Sequence, residues 1–247
     1  MIDVMDLHTH TLASGHAYNT IYEMARTAAD KGLPLLGITD HTPSMPISVP
    51  QSYFGNFKHI PRKLYGVKMM FGAELNILDY EGHVDLPSNI LDKLDYAVAS
   101  IHRPCYEPGT AAQNTAAYLG AMKIPKVCII GHPDDNRFPL DYEALVCGAK
   151  EHKVLLEVNN NSLNPRCVRQ GARENYLTML DYCKKYQVPI ILDSDAHCEV
   201  DVANHSLAHA FLQEIDFPEE LVVNRSLEVA AEYIPFLKKM LNEETNA

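Results

Sequence analysis

The sequence predicts an α/β fold: a distorted, TIM-like (βα)7 barrel of seven parallel strands ringed by helices, in a single domain spanning residues 1–247. Short apolar runs alternate with longer stretches of helical period along the whole chain, the signature of repeated strand–helix units and a parallel sheet. Run after run ends on a histidine or an acid: LLGITDH at Asp40 and His41, KMMFGAE at Glu74, YAVASIH at His102, KVCIIGH at His132 and VPIILDSDAH at Asp195 and His197. Side chains so far apart in sequence converge only when the strands carrying them are neighbours, and a barrel gathers strand ends at one face.

Taken in order, strands are expected at 3–7, 35–39, 68–73, 95–101, 127–131, 154–158 and 188–193. Helices are expected at 20–31, with Gly32 just past its end as a stop signal, and at 112–122, 141–151, 173–186 and 202–213. The Pro-rich connection 42–66 reads as irregular, and LVVN at 221–224 could add a short eighth strand. The terminal NEETNA is expected to be disordered.

A chain of 247 residues fits one such barrel, and 47% hydrophobic against 21% charged residues gives it a large core. The net charge of −11, with no Lys/Arg run, argues against holding nucleic acid through its phosphates. A small anionic substrate stays compatible, because bound divalent ions dominate the local field. The six cysteines form no C-x-x-C pair, and the first residues, MIDVMDLHTH, lack a signal-peptide pattern, so free thiols in a reducing cytoplasm are expected. No apolar run reaches the ~18 residues needed to span a membrane.

The densest cluster is DLHTHTLASGH, with Asp6, His8, His10 and His16. In H-x-H at a strand end both imidazoles point to one face, because alternate strand residues do. Imidazole and carboxylate suit zinc, manganese or iron.

The stretches DLHTHTLASGHAY, GITDHTP, GAELNI, IGHPDDNRF, LEVNNNS and DSDAH, in this order, resemble the PHP family, named for its polymerase-associated and histidinol phosphatase members, and within it the small stand-alone bacterial phosphatases. The resemblance implies a distorted seven-stranded barrel with three divalent ions, zinc foremost and manganese or iron as alternatives. Carried over by motif, the ligands are His8, His10, His16, His41, Glu74, His102, His132, Asp195 and His197. The implied grouping gives one ion His8, His10, Glu74 and Asp195, a second Glu74, His102 and His132, and a third His16, His41 and His197. It further implies hydrolysis of a small phosphorylated substrate by a metal-bound hydroxide, with no side chain as nucleophile.

Asp6 and Asp40 are cast as acceptors that orient ligand histidines. Arg169, Arg103 and Asn160 are the candidates to meet a substrate phosphate, the arginines because a guanidinium fork matches phosphate oxygens; for Asn160, as for Asn159, capping the next loop is the alternative. Tyr53, Phe54, Tyr106 and Pro108 suggest a partly apolar rim. His205 and His209 have i, i+4 spacing but lack the Glu of H-E-x-x-H, so they read as an ordinary helix face; Asp85 reads as a turn or strand-edge residue. The rival functions are a histidinol-phosphatase-like enzyme, a metal-dependent C–N hydrolase and a non-catalytic zinc-binding module. Natural substrate and oligomeric state are not legible.

Overall fold

The computed structural model describes residues 3–245. The chain runs β1 (Met5–Asp6), α1 (Ile21–Asp30), β2 (Leu35–Ile38), β3 (Lys63–Leu64), β4 (Val67–Phe71), β5 (Glu74–Asn76), α2 (Ser88–Leu91), β6 (Ala97–Ser100), α3 (Ala111–Ala121), β7 (Val127–Ile130), α4 (Tyr142–His152), β8 (Leu155–Asn159), α5 (Ala172–Tyr186), β9 (Ile190–Asp193), α6 (Ser206–Glu214), α7 (Leu227–Ala230) and α8 (Pro235–Thr245). Capping boxes start α1 at Thr20 with Glu23 and α3 at Thr110 with Gln113, so each helix end is fixed by its own first turn.

The fold is α/β with parallel sheets, as expected, but the strands do not form one closed ladder. They fall into a four-stranded sheet, β1-β2-β4-β3, and a five-stranded sheet, β5-β6-β7-β8-β9. All pairings are parallel except β3 with β4. The break lies in the third expected strand. At Gly72 and Ala73 the chain changes partner: Gly72 N still donates to Ile38 O, whereas Ala73 O already accepts from Val98 N. Single parallel bridges connect the sheets, His41 with Glu74 on one side and Thr9 with Ala196 on the other.

Several local expectations are corrected. Residues 221–224 are two 3-10 turns, Glu219–Leu221 and Val223–Arg225, and only Val222 bridges to Ile190. The 42–66 connection contains a 3-10 segment, Phe54–His59, and β3. Helix α6 starts at Ser206, later than the expected 202, because the backbone before it is not helical: Ala203 takes a left-handed φ of 56° and His205 is the N-cap. The NEETNA segment is helical through Thr245; residues 246 and 247 lie outside the described residues.

Successive strand residues face two different apolar clusters, as the period of two requires. Leu36, Ile130, Leu156 and Ile190 pack with the helices, while Leu35, Ile129, Leu155 and Ile191 join Met5, Tyr96 and, from the C-terminal segment, Ala230, Ile234 and Leu237. Because both faces are covered, the strands read as continuous apolar runs. No helix among the described residues is long and apolar enough to cross a membrane, and all six cysteines are free.

Candidate metal centre

The parallel strands all present their carboxyl ends on one side, and the nine expected ligand residues meet there. Glu74, the first residue of β5, is the hub. Its Oε1 lies 2.8 Å from His132 Nε2 and 3.1 Å from His102 Nε2. Its Oε2 lies 2.7 Å from His41 Nδ1, 3.4 Å from His8 Nε2 and 3.5 Å from His10 Nε2. Asp195 Oδ1 faces the same space, 3.2 Å from His10 Nε2 and 3.7 Å from His8 Nε2. At the solvent edge His16 Nε2 and His197 Nε2 are 3.0 Å apart, with the His16 and His41 rings stacked at 4.9 Å between centroids. His41 therefore contacts the Glu74 group as well as the His16 and His197 group to which the family pattern assigns it.

Five of these atoms are buried without a hydrogen-bond partner among the described residues: His8 Nε2, His10 Nε2, His41 Nδ1, His102 Nε2 and Glu74 Oε2. Buried polar atoms in native proteins are paired in nearly every case. A convergent set of orphaned nitrogen and oxygen donors fits divalent metal, the donor types being those that zinc, manganese and iron accept.

Electrostatics favour the same use. Burial, helped by the fields of His197 and His41, holds His10 well below the ordinary imidazole range, and the same causes bring His16 down to about 4. Neutral imidazoles are the ligating form. Burial alone would raise Glu74 and Asp195, but the fields of neighbouring groups, led by His102 for the first and by His8 and Arg169 for the second, outweigh it and lower both well below the usual carboxylate range. His8 goes the other way: burial opposes its charge, yet Glu157, Glu74 and Asp195 outweigh burial and raise its pKa well above normal.

Orienting partners differ from the expectation in part. Asp40 acts on His10 through Ser14, whose Oγ donates to Asp40 Oδ1 at 2.7 Å and lies 2.9 Å from His10 Nδ1. Asp6 touches no ligand histidine. It accepts from Ser194 N and Oγ and from Ala203 N, which ties the end of β1 to the 194–203 segment. Glu157 and Asn76 take the role instead: Glu157 Oε1 lies 2.7 Å from His8 Nδ1, and Asn76 Oδ1 lies 2.7 Å from His102 Nδ1. Asp85 in turn accepts from Asn76 Nδ2 and Ser44 N, both at 2.8 Å, so it does more than edge a strand. A glutamate inside the apolar run LLEVN was the available signal for Glu157.

A cavity of about 610 Å³ opens over the centre, lined by His102, His197, Arg103, Asp134, Arg137 and Arg169 among others. Arg169 lies partly buried in the wall, its guanidinium donating to Asp195 Oδ2 at 3.0 Å and to Ser162 Oγ at 2.9 Å. Arg103 is exposed at the mouth. Asn160 does not face the cavity as a free amide: its Oδ1 accepts from Leu207 N and Ala208 N, capping the start of α6, whose first N–H groups need acceptors. The lining is partly apolar, as expected, but through other residues than Tyr53, Phe54, Tyr106 and Pro108: Phe54 and Tyr106 belong to the core and Tyr53 donates to Asp40, while Met45, Ile101, Phe138 and Val168 supply the apolar lining.

Parallel strand ends that bring seven imidazoles and two carboxylates around a cleft define an α/β protein with a metal-type centre. The PHP domain profile matches residues 6–162, and the chain belongs to the PHP family. It is 45% identical over 230 residues to a protein of Caldicellulosiruptor saccharolyticus named "probable phosphatase", covering 93% of this chain and 95% of that one. A Clostridium novyi protein of the same description is 46% identical over 221 residues, covering 90% of each chain. The fold is similar to that of Lactococcus lactis histidinol phosphate phosphatase, solved with zinc, L-histidinol and phosphate (TM-score 0.58, 16% identity, 88% of this chain and 95% of that one). It is also similar to a chain of an archaeal ribonuclease P solved with mature tRNA (TM-score 0.58, 16% identity, 96% and 93%).

Proposed function

We propose that this chain is a metal-dependent phosphatase that releases phosphate from small phosphate monoesters at a centre of three divalent ions, zinc foremost. The observation that carries this reading is the convergence of five buried, partnerless donor atoms on Glu74 and its neighbours. The similarity to proteins described as probable phosphatases, and to a histidinol phosphate phosphatase solved with zinc, supports it. In this reading residues 1–247 act as one PHP-type domain, and the His41–Glu74 and Thr9–Ala196 bridges close its two sheets into the distorted barrel of the family.

His8, His10, His16, His41, Glu74, His102, His132, Asp195 and His197 would hold the ions, with Glu74 shared between neighbouring positions through its two oxygens. When bound, divalent ions supply an activated water and neutralise charge on the phosphoryl oxygens. Arg169 holds Asp195 Oδ2 and so leaves Oδ1 directed at the imidazoles; its remaining N–H groups and Arg103 at the mouth would anchor the substrate phosphate. The C–N hydrolase alternative calls for a strand-end lysine, whereas the donors here are imidazoles and carboxylates.

The test is phosphate release from a panel of monoesters and one diester, on chelator-stripped protein and after reloading with zinc or manganese. Metal-dependent release from monoesters, abolished by His10→Ala or Asp195→Ala in folded protein, is expected. Full activity in either variant, or none in reloaded wild-type protein, would overturn the proposal.

A further inference from the structure

A second group of ligand-type side chains lies outside the catalytic cleft. Asp3, two residues before β1, reaches His205 and His209 at the start of α6: its Oδ2 is 2.8 Å from His205 Nδ1 and 2.6 Å from His209 Nε2. His205 is fully buried, Asp3 is partly buried with 13% of its side chain exposed, and His209 is about one-third exposed. The two imidazoles sit on successive turns of one helix face, the i, i+4 spacing with which helices present a histidine pair to zinc.

The distribution of partners around Asp3 is unusual for hydrogen bonding alone. Both imidazoles address the same oxygen, while the second oxygen, Oδ1, is buried with no hydrogen-bond partner among the described residues. A carboxylate that merely accepts N–H bonds can spread them over both oxygens and four lone-pair directions. Two ring nitrogens and one oxygen converging on one point, with the other oxygen bare, match a coordination set. The surroundings favour positive charge as well: Asp6 Oδ1 lies 3.7 Å from His205 Nε2, itself buried and unpartnered. An ion has a route in, because His209 also lines a cavity of about 530 Å³.

We propose that Asp3, His205 and His209 form a separate binding site for one divalent ion of the zinc class, which ties the start of α6 to the entry of β1. Three protein ligands leave a position for water on the His209 side. The same carboxylate field that attracts the ion attracts a proton, so ion and proton compete and occupancy rises with pH as the imidazoles become free to ligate. The site is structural: it shares no residue with the nine of the cleft and is linked to them through Asp6, which holds Ser194 beside Asp195, and through Asn160, which caps the start of α6.

The experiment counts zinc per chain in wild-type, His209→Ala and His209→Gln proteins purified in zinc and freed of loose metal. His209 is the most exposed of the three, so its loss is the least disruptive to folding. One zinc fewer per chain in both variants is expected, with phosphate release within about threefold of wild type, because the two sites share no ligand. That difference of one holds whatever number of ions the cleft carries, so the result is independent of the catalytic reading. An unchanged count would overturn the proposal. If the variants fail to fold, zinc titration into stripped wild-type protein with ¹⁵N-labelled histidine decides: a new metal-bound shift of the His209 ring nitrogen supports the site, and an unmoved signal at saturation refutes it.

Discussion

Glu157 Oε1 lies 2.7 Å from His8 Nδ1, and its Oε2 accepts from the backbone N–H of His132 at 2.6 Å. One fully buried carboxylate therefore orients two candidate ligands carried on different strands. Of the two acids the sequence offers for this role, Asp40 reaches His10 through Ser14, whereas Asp6 contacts none of the nine residues among those described.

Glu157→Gln should weaken zinc binding about 10- to 100-fold, since a carboxamide has a single acceptor oxygen and cannot serve both His8 and His132. Competition against a chelator of known affinity measures this. An unchanged affinity would show that His8 is held by packing alone.

Glu74→Gln should be more severe, because Glu74 faces His8, His10, His41, His102 and His132 at 2.7–3.5 Å. Phosphate release should fall by on the order of 10³ or more, with fewer ions bound per chain, given how directly metal centres depend on a shared carboxylate. Activity assays and metal counts on the same preparation check both.

Arg169→Lys should lower kcat and raise KM together, by roughly 10²-fold in kcat/KM, since a point charge cannot hold Asp195 Oδ2, Ser162 and a phosphate at once. Steady-state kinetics separate the two parameters; a change in KM alone would remove Arg169 from the support of Asp195.

Gly37→Ala should destabilise the protein by about 1–3 kcal/mol, the usual cost of overpacking a core. The Tyr96 hydroxyl, donating to Leu7 O at 2.6 Å, sits 2.0 Å from where the new Cβ would stand. Tyr96→Phe in the same chain should recover part of the loss, and denaturant titrations of the single and double variants measure the coupling.

Metal-free protein should lose stability as pH rises from 6.5 to 10. Burial disfavours a charged His205, but hydrogen bonds and the fields of Asp3 and Asp6 outweigh it, raising its pKa from 6.5 to about 10. A raised folded-state pKa means stability present in full below 6.5 and lost as pH passes about 10, on the order of a few kcal/mol for a fully buried group. Urea titrations across that range, against His205→Gln to isolate this histidine from others such as His8, check the sign.

Much of the centre was legible because strand ends carry their message locally. An apolar run closed by His41, Glu74, His102 or His132 identifies both the strand and the side chain that leaves it, and all nine expected residues meet in the structure. Asn160 shows where such reading fails. Its place after a strand suggested the cleft, but the backbone N–H groups of Leu207 and Ala208, 47 and 48 residues away, claim its carboxamide. Glu157 was hidden for the converse reason, since an acid inside a strand reads as noise until its partners His8 and His132 are known.

By itself, the sequence determined the alternation of strands and helices, the family and which histidines and acids stand at the strand ends, all of which are written in periodicity and short motifs. Tertiary structure decided where the strand 67–76 changes partner at Gly72, so that two sheets form instead of one closed ladder, and which acids orient which imidazoles. It also brought Asp3 to His205 and His209. Those outcomes depend on hydrogen bonds and packing between residues far apart in the chain, whose pairing no local pattern encodes.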